Sequence, residues 1–340
     1  MSVANPLVDQ FARRISYLRL SVIDRCDLRC SYCMPERMTF LPKSEVLTLE
    51  ELHELSLGFI ARGITKLRLT GGEPLVRRDM IDLVRALGRR IGVEDEGKGR
   101  LEELTLTTNG TRLSEFSEDL YAAGVRRINV SLDTRDREAF ARLTRRDALP
   151  QVLEGIAAAK AAGLKVKLNA VALKGVNEAE IPDLVGWAHG QGMELTLIEV
   201  MPLGEVEGDR FDHYLPLSAV KADLESRFTL TPSAHRTGGP ARYFDIAETG
   251  GRIGLITPLT NNFCDGCNRI RVTATGQLFA CLGGNEQVDL RGALRSDDPQ
   301  ARLAEALDVA MKIKPLRHAF RIDHAGAAPA LARHMSMTGG

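Results

Sequence analysis

Three cysteines stand close together near the start of the chain, in Cys26-Asp27-Leu28-Arg29-Cys30-Ser31-Tyr32-Cys33. The spacing C-x3-C-x2-C directly follows an apolar-rich run, Tyr17–Ile23, that predicts a β-strand. The cysteines therefore fall in a loop at the carboxyl end of a strand, where barrel enzymes place their chemistry. A [4Fe–4S] cluster is usually bound by four cysteines, one to each iron. Three thiolates bind only three of the irons, so the fourth iron is free to bind a small molecule.

A second triad, Cys264, Cys267 and Cys281, has the spacing C-x2-C-x13-C, and the sequence contains no other cysteine. The segment 1–14 lacks the basic region and apolar block of a signal peptide, and no apolar run approaches the roughly 18 residues of a membrane helix. We therefore expect a cytoplasmic protein whose thiols stay reduced, which favours metal or cluster ligands over disulfides. The 45 basic and 45 acidic residues cancel, and a neutral total gives no support for nucleic-acid or membrane partners.

Structural zinc is the alternative for either triad. A structural zinc site needs four ligands at close spacing, and each triad supplies three. The first histidine after Cys33 is His53, inside a predicted helix, and His235 is distant from Cys264. The spacing therefore favours clusters with an open iron over zinc.

Up to about residue 201, strand-like runs alternate with helix-like runs, as in repeated βαβ units with a parallel sheet. The predicted strands are Tyr17–Ile23, Thr65–Thr70, Glu103–Thr108, Arg126–Leu132, Lys165–Val171 and Glu194–Val200. Six such units predict an α/β fold with an open or closed barrel. A smaller β-rich region follows and contains the second triad, so we expect two domains, 1–225 and 226–340.

These strands alternate apolar and polar residues, whereas parallel strands buried on both faces are usually continuous apolar runs. If the apolar side meets the helices, Arg19, Lys66, Arg68 and Lys167 face the inside of the curved sheet. Charges there are costly unless a ligand fills the interior, and a large polar anion is the natural filler. The alternative is that these polar side chains lie at strand ends and contact water. This is less favoured when the same pattern occurs in five strands.

The first triad, with Tyr32 before its last cysteine, resembles the signature of the radical S-adenosylmethionine (SAM) superfamily. The predicted second strand ends in Thr70-Gly71-Gly72-Glu73-Pro74, which is similar to that superfamily's second motif. The resemblance implies an incomplete (β/α)6 TIM-like barrel of the radical SAM type, SAM as cofactor, and a contact between this motif and the SAM amino group. Glycines let the backbone approach, and Glu73 offers an acceptor for an ammonium group.

The two open triads together resemble the GTP 3′,8-cyclases of molybdenum-cofactor biosynthesis, over essentially the whole chain from Arg19 to Gly340. The supporting segments are 24–26, 33–35, 107–110, 128–133, 198–202 and 267–271. The resemblance implies two [4Fe–4S] clusters, one on each triad. It places SAM contacts on Tyr32, Gly72, Ser131 and Met201. It places GTP contacts on Arg19, Arg68, Thr107, Lys167, Arg269, Ile270 and Arg271, with Lys66 as a neighbouring phosphate contact.

This resemblance also implies a lyase reaction on GTP. A 5′-deoxyadenosyl radical from SAM would remove the 3′ hydrogen of GTP, and the product would be 3′,8-cyclo-7,8-dihydro-GTP. The second cluster would bind the guanine edge. Implied partners are GTP, an electron donor such as flavodoxin or ferredoxin, and the downstream cyclic pyranopterin monophosphate synthase; a homodimer is compatible. The alternatives are another two-cluster radical SAM enzyme, such as a peptide-modifying enzyme, or a non-catalytic zinc or iron–sulfur protein.

Two features of the sequence need separate mention. The family usually has arginine where this chain has Thr196, before Leu197-Ile198-Glu199, which puts one polar contact in doubt. Composition alone predicts a frayed terminus. The resemblance implies instead that the tail residues Gly339 and Gly340 reach the active site and belong to its catalytic residues.

Overall fold

A twelve-stranded sheet organises the computed structural model, which describes residues 5–93, 99–206, 208–318, 320–322 and 328–339. Its strands are β1 (Tyr17–Ser21), β2 (Lys66–Thr70), β3 (Glu103–Thr108), β4 (Arg127–Ser131), β5 (Lys165–Ala172), β6 (Glu194–Glu199), β7 (Leu230–Pro232), β8 (Arg242–Ile246), β9 (Arg252–Ile256), β10 (Arg269–Val272), β11 (Gln277–Phe279) and β12 (Gln287–Asp289). Along the sheet the order is β12-β11-β10-β1-β2-β3-β4-β5-β6-β9-β8-β7.

Helices connect the consecutive strands β1 to β6, as the alternating pattern predicts. They are α1 (Leu49–Ala61), α2 (Met80–Gly88), α3 (Leu113–Ala122), α4 (Arg137–Thr144), α5 (Leu149–Ala161) and α6 (Ile181–Gly190), with α7 (Leu217–Glu225), α8 (Leu290–Leu294), α9 (Pro299–Ile313) and α10 (Met335–Thr338) further along. Thr48 and Glu51 form the reciprocal hydrogen bonds of a capping box at the start of α1. Gly63 follows α1 with φ of +90°, a conformation that suits glycine at a helix end.

The six consecutive strands pair in parallel, and the C-terminal strands extend the same sheet at both edges. β10 is parallel to β1, and β9 is parallel to β6, whereas β11, β12, β8 and β7 are antiparallel to their neighbours. Within the described residues the two ends of the strand order do not pair with each other. The incomplete barrel is therefore confirmed, while the division at residues 225 and 226 stays a prediction.

The alternation along the strands separates two environments. Leu18 and Leu20 belong to the hydrophobic core together with helix residues such as Phe59. The alternate positions face the inside of the curve, where Arg19 and Lys167 are 8% and 5% exposed. These polar side chains are thus buried in the interior and do not lie at strand ends in water. In the described ranges, no helix has both the length and the apolar composition needed to cross a membrane.

Candidate active site

One cavity lies inside the curve of the sheet, and all six cysteines line it as free thiols. The two triads, about 230 positions apart in sequence, therefore face a common space because β10 lies beside β1. Among the described residues, no three or more His, Cys, Asp or Glu side chains meet as ligands of a single metal ion would. The ligands of a four-iron cluster each bind a different iron and need not converge in this way. Three free thiols per triad at one cavity are a donor set that fits iron–sulfur clusters.

Backbone hydrogen bonds hold the first cysteine loop. Cys33 N donates to Cys30 O at 2.9 Å, and Arg29 N donates at 2.9 Å to the carbonyl of Thr144 at the end of α4. Burial raises the pKa of the Cys33 thiol to about 11, and it also raises the pKa values of Cys26 and Cys30. Such thiols give up their protons when metal binds, so binding of a metal cluster at this triad would release protons.

Acidic and amide groups surround the first triad. The amide of Asn109 donates to Asp27 Oδ1 at 2.7 Å and lies 3.6 Å from Cys26 Sγ. Tyr32 donates its phenol hydrogen to Asp133 Oδ2 at 2.8 Å, and Asp133 Oδ1 accepts from the β5 backbone at 2.8 Å. Because Asp133 engages the phenol, the ring and main chain of Tyr32 are the parts that remain at the cavity. Asp133 and Asn109 were not assigned from the sequence, although both stand in segments that carry the resemblance.

The Gly-Gly-Glu segment after β2 packs directly on the first cysteine loop. A Cβ at Gly72 would lie 2.2 Å from Arg25 O, so glycine is needed for this approach. The expectation that Glu73 accepts from the SAM ammonium stays a prediction, because the hydrogen bonds of the Glu73 side chain are all with protein groups. Its carboxylate is fully buried, outside the cavity wall, and it accepts from the Leu75 backbone at 3.0 Å, Thr108 Oγ1 at 2.8 Å and the Asn109 backbone at 2.6 Å. The glutamate joins two loops, and Gly72 remains at the cavity.

Basic groups surround the second triad. Arg13 Nη1 donates to Cys264 O at 2.8 Å, Arg269 Nη2 lies 3.9 Å from Cys267 Sγ, and Lys314 Nζ lies 3.8 Å from the same sulfur. Burial acts to raise the pKa of the Cys267 thiol, but Arg269 and Lys314 outweigh it and lower the pKa to about 7. Arg13 and Lys314 escaped sequence reasoning because no local motif ties them to residues 251 and 47 positions away.

Buried cations face the cavity from β1, β2, β5 and β10. Arg19, Arg68, Lys167 and Arg271 are each less than a tenth exposed and line the cavity. Nε and Nη2 of Arg19 and Nε of Arg68 have no hydrogen-bond partner among the described residues. Burial lowers the pKa of Arg19 to about 10, which shows how unfavourable the uncompensated charge is. Buried guanidinium donors of this kind need an anion, and a polyphosphate fits them.

The other predicted GTP contacts occupy different environments. Thr107 accepts from Arg68 Nη1 at 3.3 Å, on the cavity wall. Lys66 is already engaged, since it pairs with Glu103 at 2.8 Å and donates to Thr237 O at 2.9 Å. Ile270 lies in the hydrophobic core, so its main chain is the part that can face a ligand. Ser131 and Met201, predicted for SAM, also line the cavity, as do Tyr32, Gly72 and Arg269.

A neutral hydroxyl occupies the position where the family pattern has arginine. Thr196 is 1% exposed and lines the cavity, and its Oγ1 has no partner among the described residues. Gly254, opposite it on β9, leaves room for this side chain, because a Cβ there would lie 2.9 Å from Thr196 Oγ1. Asn129 Oδ1 in the same wall also has no partner among the described residues, and this residue was assigned no role from the sequence.

The C-terminal tail enters the cavity region. Arg271 Nη1 donates to Thr338 O at 3.1 Å and also to Gly339 O. Gly339 has φ of +72°, and a Cβ there would lie 2.2 Å from Thr70 Cγ2. Glycine is therefore required both by conformation and by the close approach to β2. Gly340 lies outside the described residues.

Two family models match consecutive parts of the chain. The model of the radical SAM superfamily matches residues 20–188, and that of molybdenum cofactor synthesis C matches residues 193–320. A GTP 3′,8-cyclase from Erythrobacter litoralis is 70% identical over 337 residues, covering 99% of both chains. Another from Sinorhizobium medicae is 60% identical over 339 residues, covering 100% of this chain and 96% of that one.

Solved structures share the fold at low sequence identity. Streptococcus suis SuiB bound to S-adenosylmethionine aligns with a TM-score of 0.57 and 16% identity, over 90% of this chain and 65% of that one. Native anSMEcpe with bound AdoMet aligns with a TM-score of 0.56 and 14% identity, over 87% of this chain and 84% of that one. The chain thus spans about two thirds of the longer SuiB.

Proposed function

Because the chain belongs to the GTP 3′,8-cyclase family of the radical SAM superfamily, we propose that it holds two [4Fe–4S] clusters, on Cys26, Cys30 and Cys33 and on Cys264, Cys267 and Cys281. The family converts GTP to 3′,8-cyclo-7,8-dihydro-GTP in the first step of molybdenum-cofactor biosynthesis, with SAM and iron–sulfur chemistry. The observation that carries the site assignment is the common cavity, which both triads and the buried cations line.

The residues around the first triad hold SAM in this proposal. Gly72 lets the backbone come close, Ser131 and Met201 form the wall, and the ring of Tyr32 is fixed by Asp133. A cluster held by Cys26, Cys30 and Cys33 would supply the electron for cleavage of SAM to methionine and a 5′-deoxyadenosyl radical, and this radical would take the 3′ hydrogen of GTP. The buried wall keeps water away from this space.

The cations between the triads hold GTP. Arg19, Arg68 and Lys167 neutralise the triphosphate through charge-assisted hydrogen bonds. The Nε and Nη2 of Arg19 and the Nε of Arg68, unpaired among the described residues, support this role for the two arginines. Arg269, the Ile270 main chain and Arg271 join them from β10, with Thr107 and Lys66 as neighbours. The second triad orients the guanine, so that C3′ faces the radical source and C8 faces C3′. Gly339 completes the site from the tail, beside Arg271, and the catalytic role predicted for Gly340 belongs to the same proposal.

The remaining parts of the proposal concern class and partners. We class the enzyme as a lyase of the cytoplasm, where reducing conditions keep cluster thiols free. A flavodoxin or ferredoxin supplies electrons, and cyclic pyranopterin monophosphate synthase uses the product.

Iron content and SAM cleavage test the proposal together. Protein purified anaerobically should contain about eight irons per chain, four for each cluster. Reduction with SAM and GTP should then yield 5′-deoxyadenosine and the cyclised nucleotide. Zinc in place of iron, or no 5′-deoxyadenosine with GTP present, contradicts the proposal.

A cysteine variant separates the two triads. Cys267→Ser should retain part of the SAM cleavage and lose cyclisation of GTP, because the triad at the first loop is intact. Cys30→Ser is the matched variant and should lose both activities. Full product formation by Cys267→Ser contradicts a substrate role for the second cluster.

A further inference from the structure

Lys314 lies beside the second triad, deep inside the protein. It directly follows α9 and is 1% exposed. Its Nζ donates to Ala280 O at 2.6 Å and Arg269 O at 2.9 Å, and lies 3.8 Å from Cys267 Sγ. Ala280 immediately precedes Cys281, and Arg269 is two positions after Cys267. The ammonium group therefore sits against the main chain that carries two of the three cysteines.

This buried cation has no carboxylate partner among the described residues. Asp9, the acid that influences it, is already paired with Arg13 at 2.7 Å. The two carbonyls satisfy hydrogen bonds of the ammonium group but do not neutralise its charge. A buried charge without a counter-charge is strongly unfavourable. The sulfur of Cys267, as a thiolate in a cluster, is the group in contact that can supply the negative charge.

The N-terminal segment fixes the backbone that presents Lys314. Gln10 Nε2 donates to Lys314 O at 3.1 Å. Arg13 donates to Pro315 O at 2.7 Å and to Leu316 O at 2.8 Å, while it also binds Cys264 O at 2.8 Å. The same arginine therefore binds the main chain that follows Lys314 and the main chain of Cys264 in the triad.

We propose that Lys314 compensates the negative charge of the second cluster and raises its reduction potential, an inference that rests on the proposed cluster at Cys264, Cys267 and Cys281. Hydrogen bonds and charges near cluster sulfurs are the means by which a protein tunes such potentials. A fixed ammonium stabilises the reduced, more negative form more than the oxidised form. At the first triad, the contacts of Cys26 Sγ are with Asn109 and Asp27.

A redox titration followed by electron paramagnetic resonance tests this inference. The second cluster is isolated by changing Cys26, Cys30 and Cys33 to Ser, and the titration is then repeated with Lys314→Met, which removes the charge at similar side-chain length. The midpoint potential should become more negative. Lys312→Met, an exposed change two positions away, is the control and should leave it unmoved. An unchanged potential in Lys314→Met that retains about four irons overturns the inference.

Two further measurements cover the other outcomes. The parent protein of this titration has Cys26, Cys30 and Cys33 changed to Ser and Lys314 intact. If it contains fewer than about four irons per chain, the proposed second cluster is contradicted, whatever the role of Lys314. If Lys314→Met does not take up iron, Lys314→Gln replaces it, and thermal unfolding of the cluster-free proteins is compared. Unchanged unfolding with lost iron uptake supports a role toward the cluster. If the cluster-free variant also unfolds at a lower temperature than the cluster-free parent, Lys314 stabilises the fold itself and the inference is overturned.

Discussion

Lys167, on β5, donates a hydrogen bond from its ammonium group to the phenol oxygen of Tyr243, 76 positions later on β8. The ammonium also lies 4.6 Å from the centre of the tyrosine ring. Tyr243 Oη is 3.0 Å from Thr237 Oγ1, and the carbonyl of Thr237 accepts from Lys66. Two lysines of the barrel interior are therefore held by the C-terminal region, which closes this part of the cavity.

The change Tyr243→Phe tests that positioning. It keeps the buried ring and removes the oxygen that orients Lys167, so GTP should bind roughly tenfold more weakly, as expected for a hydrogen bond to a charged group. Affinity for SAM should stay the same. Equilibrium binding to the cluster-loaded protein measures both, with Tyr121→Phe, a partly exposed residue of α3, as control. Unaltered GTP affinity in Tyr243→Phe is the contrary result.

Proton uptake should accompany GTP binding above neutral pH. Burial lowers the pKa of Lys167 to about 7, Arg127, Arg68 and Lys66 act in the same direction, and Glu194 opposes them. The free enzyme carries the ammonium below pH 7 and loses it as the pH rises, whereas a bound phosphate favours the charged form. The Lys167 contribution to affinity should thus be complete below pH 7 and decrease above it, up to roughly tenfold per pH unit.

Calorimetry measures this uptake. Titrations with GTP at pH 8 in two buffers of different ionisation enthalpy give the number of protons taken up. Protons taken up by GTP itself are the same for both proteins, so the difference between them reports Lys167. Lys167→Met should therefore take up fewer protons than the parent protein. Equal uptake by the two proteins contradicts the assignment of Lys167.

The change Gly339→Ala should displace the tail. The new Cβ meets Thr70 at 2.2 Å, and φ of +72° disfavours alanine. Cyclisation should decrease by up to roughly 100-fold, since small misplacements of active-site groups have effects of this size. Gly192→Ala has nearly the same strain, φ of +70°, with no neighbour within 4 Å, so it should leave product formation intact. Product analysis decides, and normal turnover of Gly339→Ala argues against a catalytic tail.

The change Glu73→Gln distinguishes a structural glutamate from a SAM-binding one. At pH 8, above its pKa of about 7, which burial raises, the Glu73 carboxylate accepts three protein hydrogen bonds. An amide turns one acceptor into a donor, so the free energy of unfolding should decrease by about 1–3 kcal/mol. Chemical denaturation measures this, with exposed Glu102→Gln as control. Full stability combined with lost SAM affinity supports the ammonium-binding role.

Much of the fold follows from local patterns. Strand β3 has the predicted bounds, Glu103–Thr108, and β2 differs from the predicted Thr65–Thr70 by one residue. Alternation along each strand pointed Arg19 and Lys167 inward, because successive side chains of a strand face opposite sides. Spacing alone also separated the cysteines into two triads. These features depend on neighbours a few positions apart, which the sequence displays directly.

The partners of the inward-facing groups were decided by the tertiary structure. Spacing could not show that Glu73 accepts hydrogen bonds from two loops, that Tyr243 holds Lys167, or that the buried ammonium of Lys314 reaches Cys267. These contacts join residues from 35 to 76 positions apart. Strand periodicity sets the direction of a side chain, whereas its hydrogen-bond partner depends on which strands become neighbours. The sequence by itself determined what chemistry the cavity contains, and packing determined which charges remain available for a ligand.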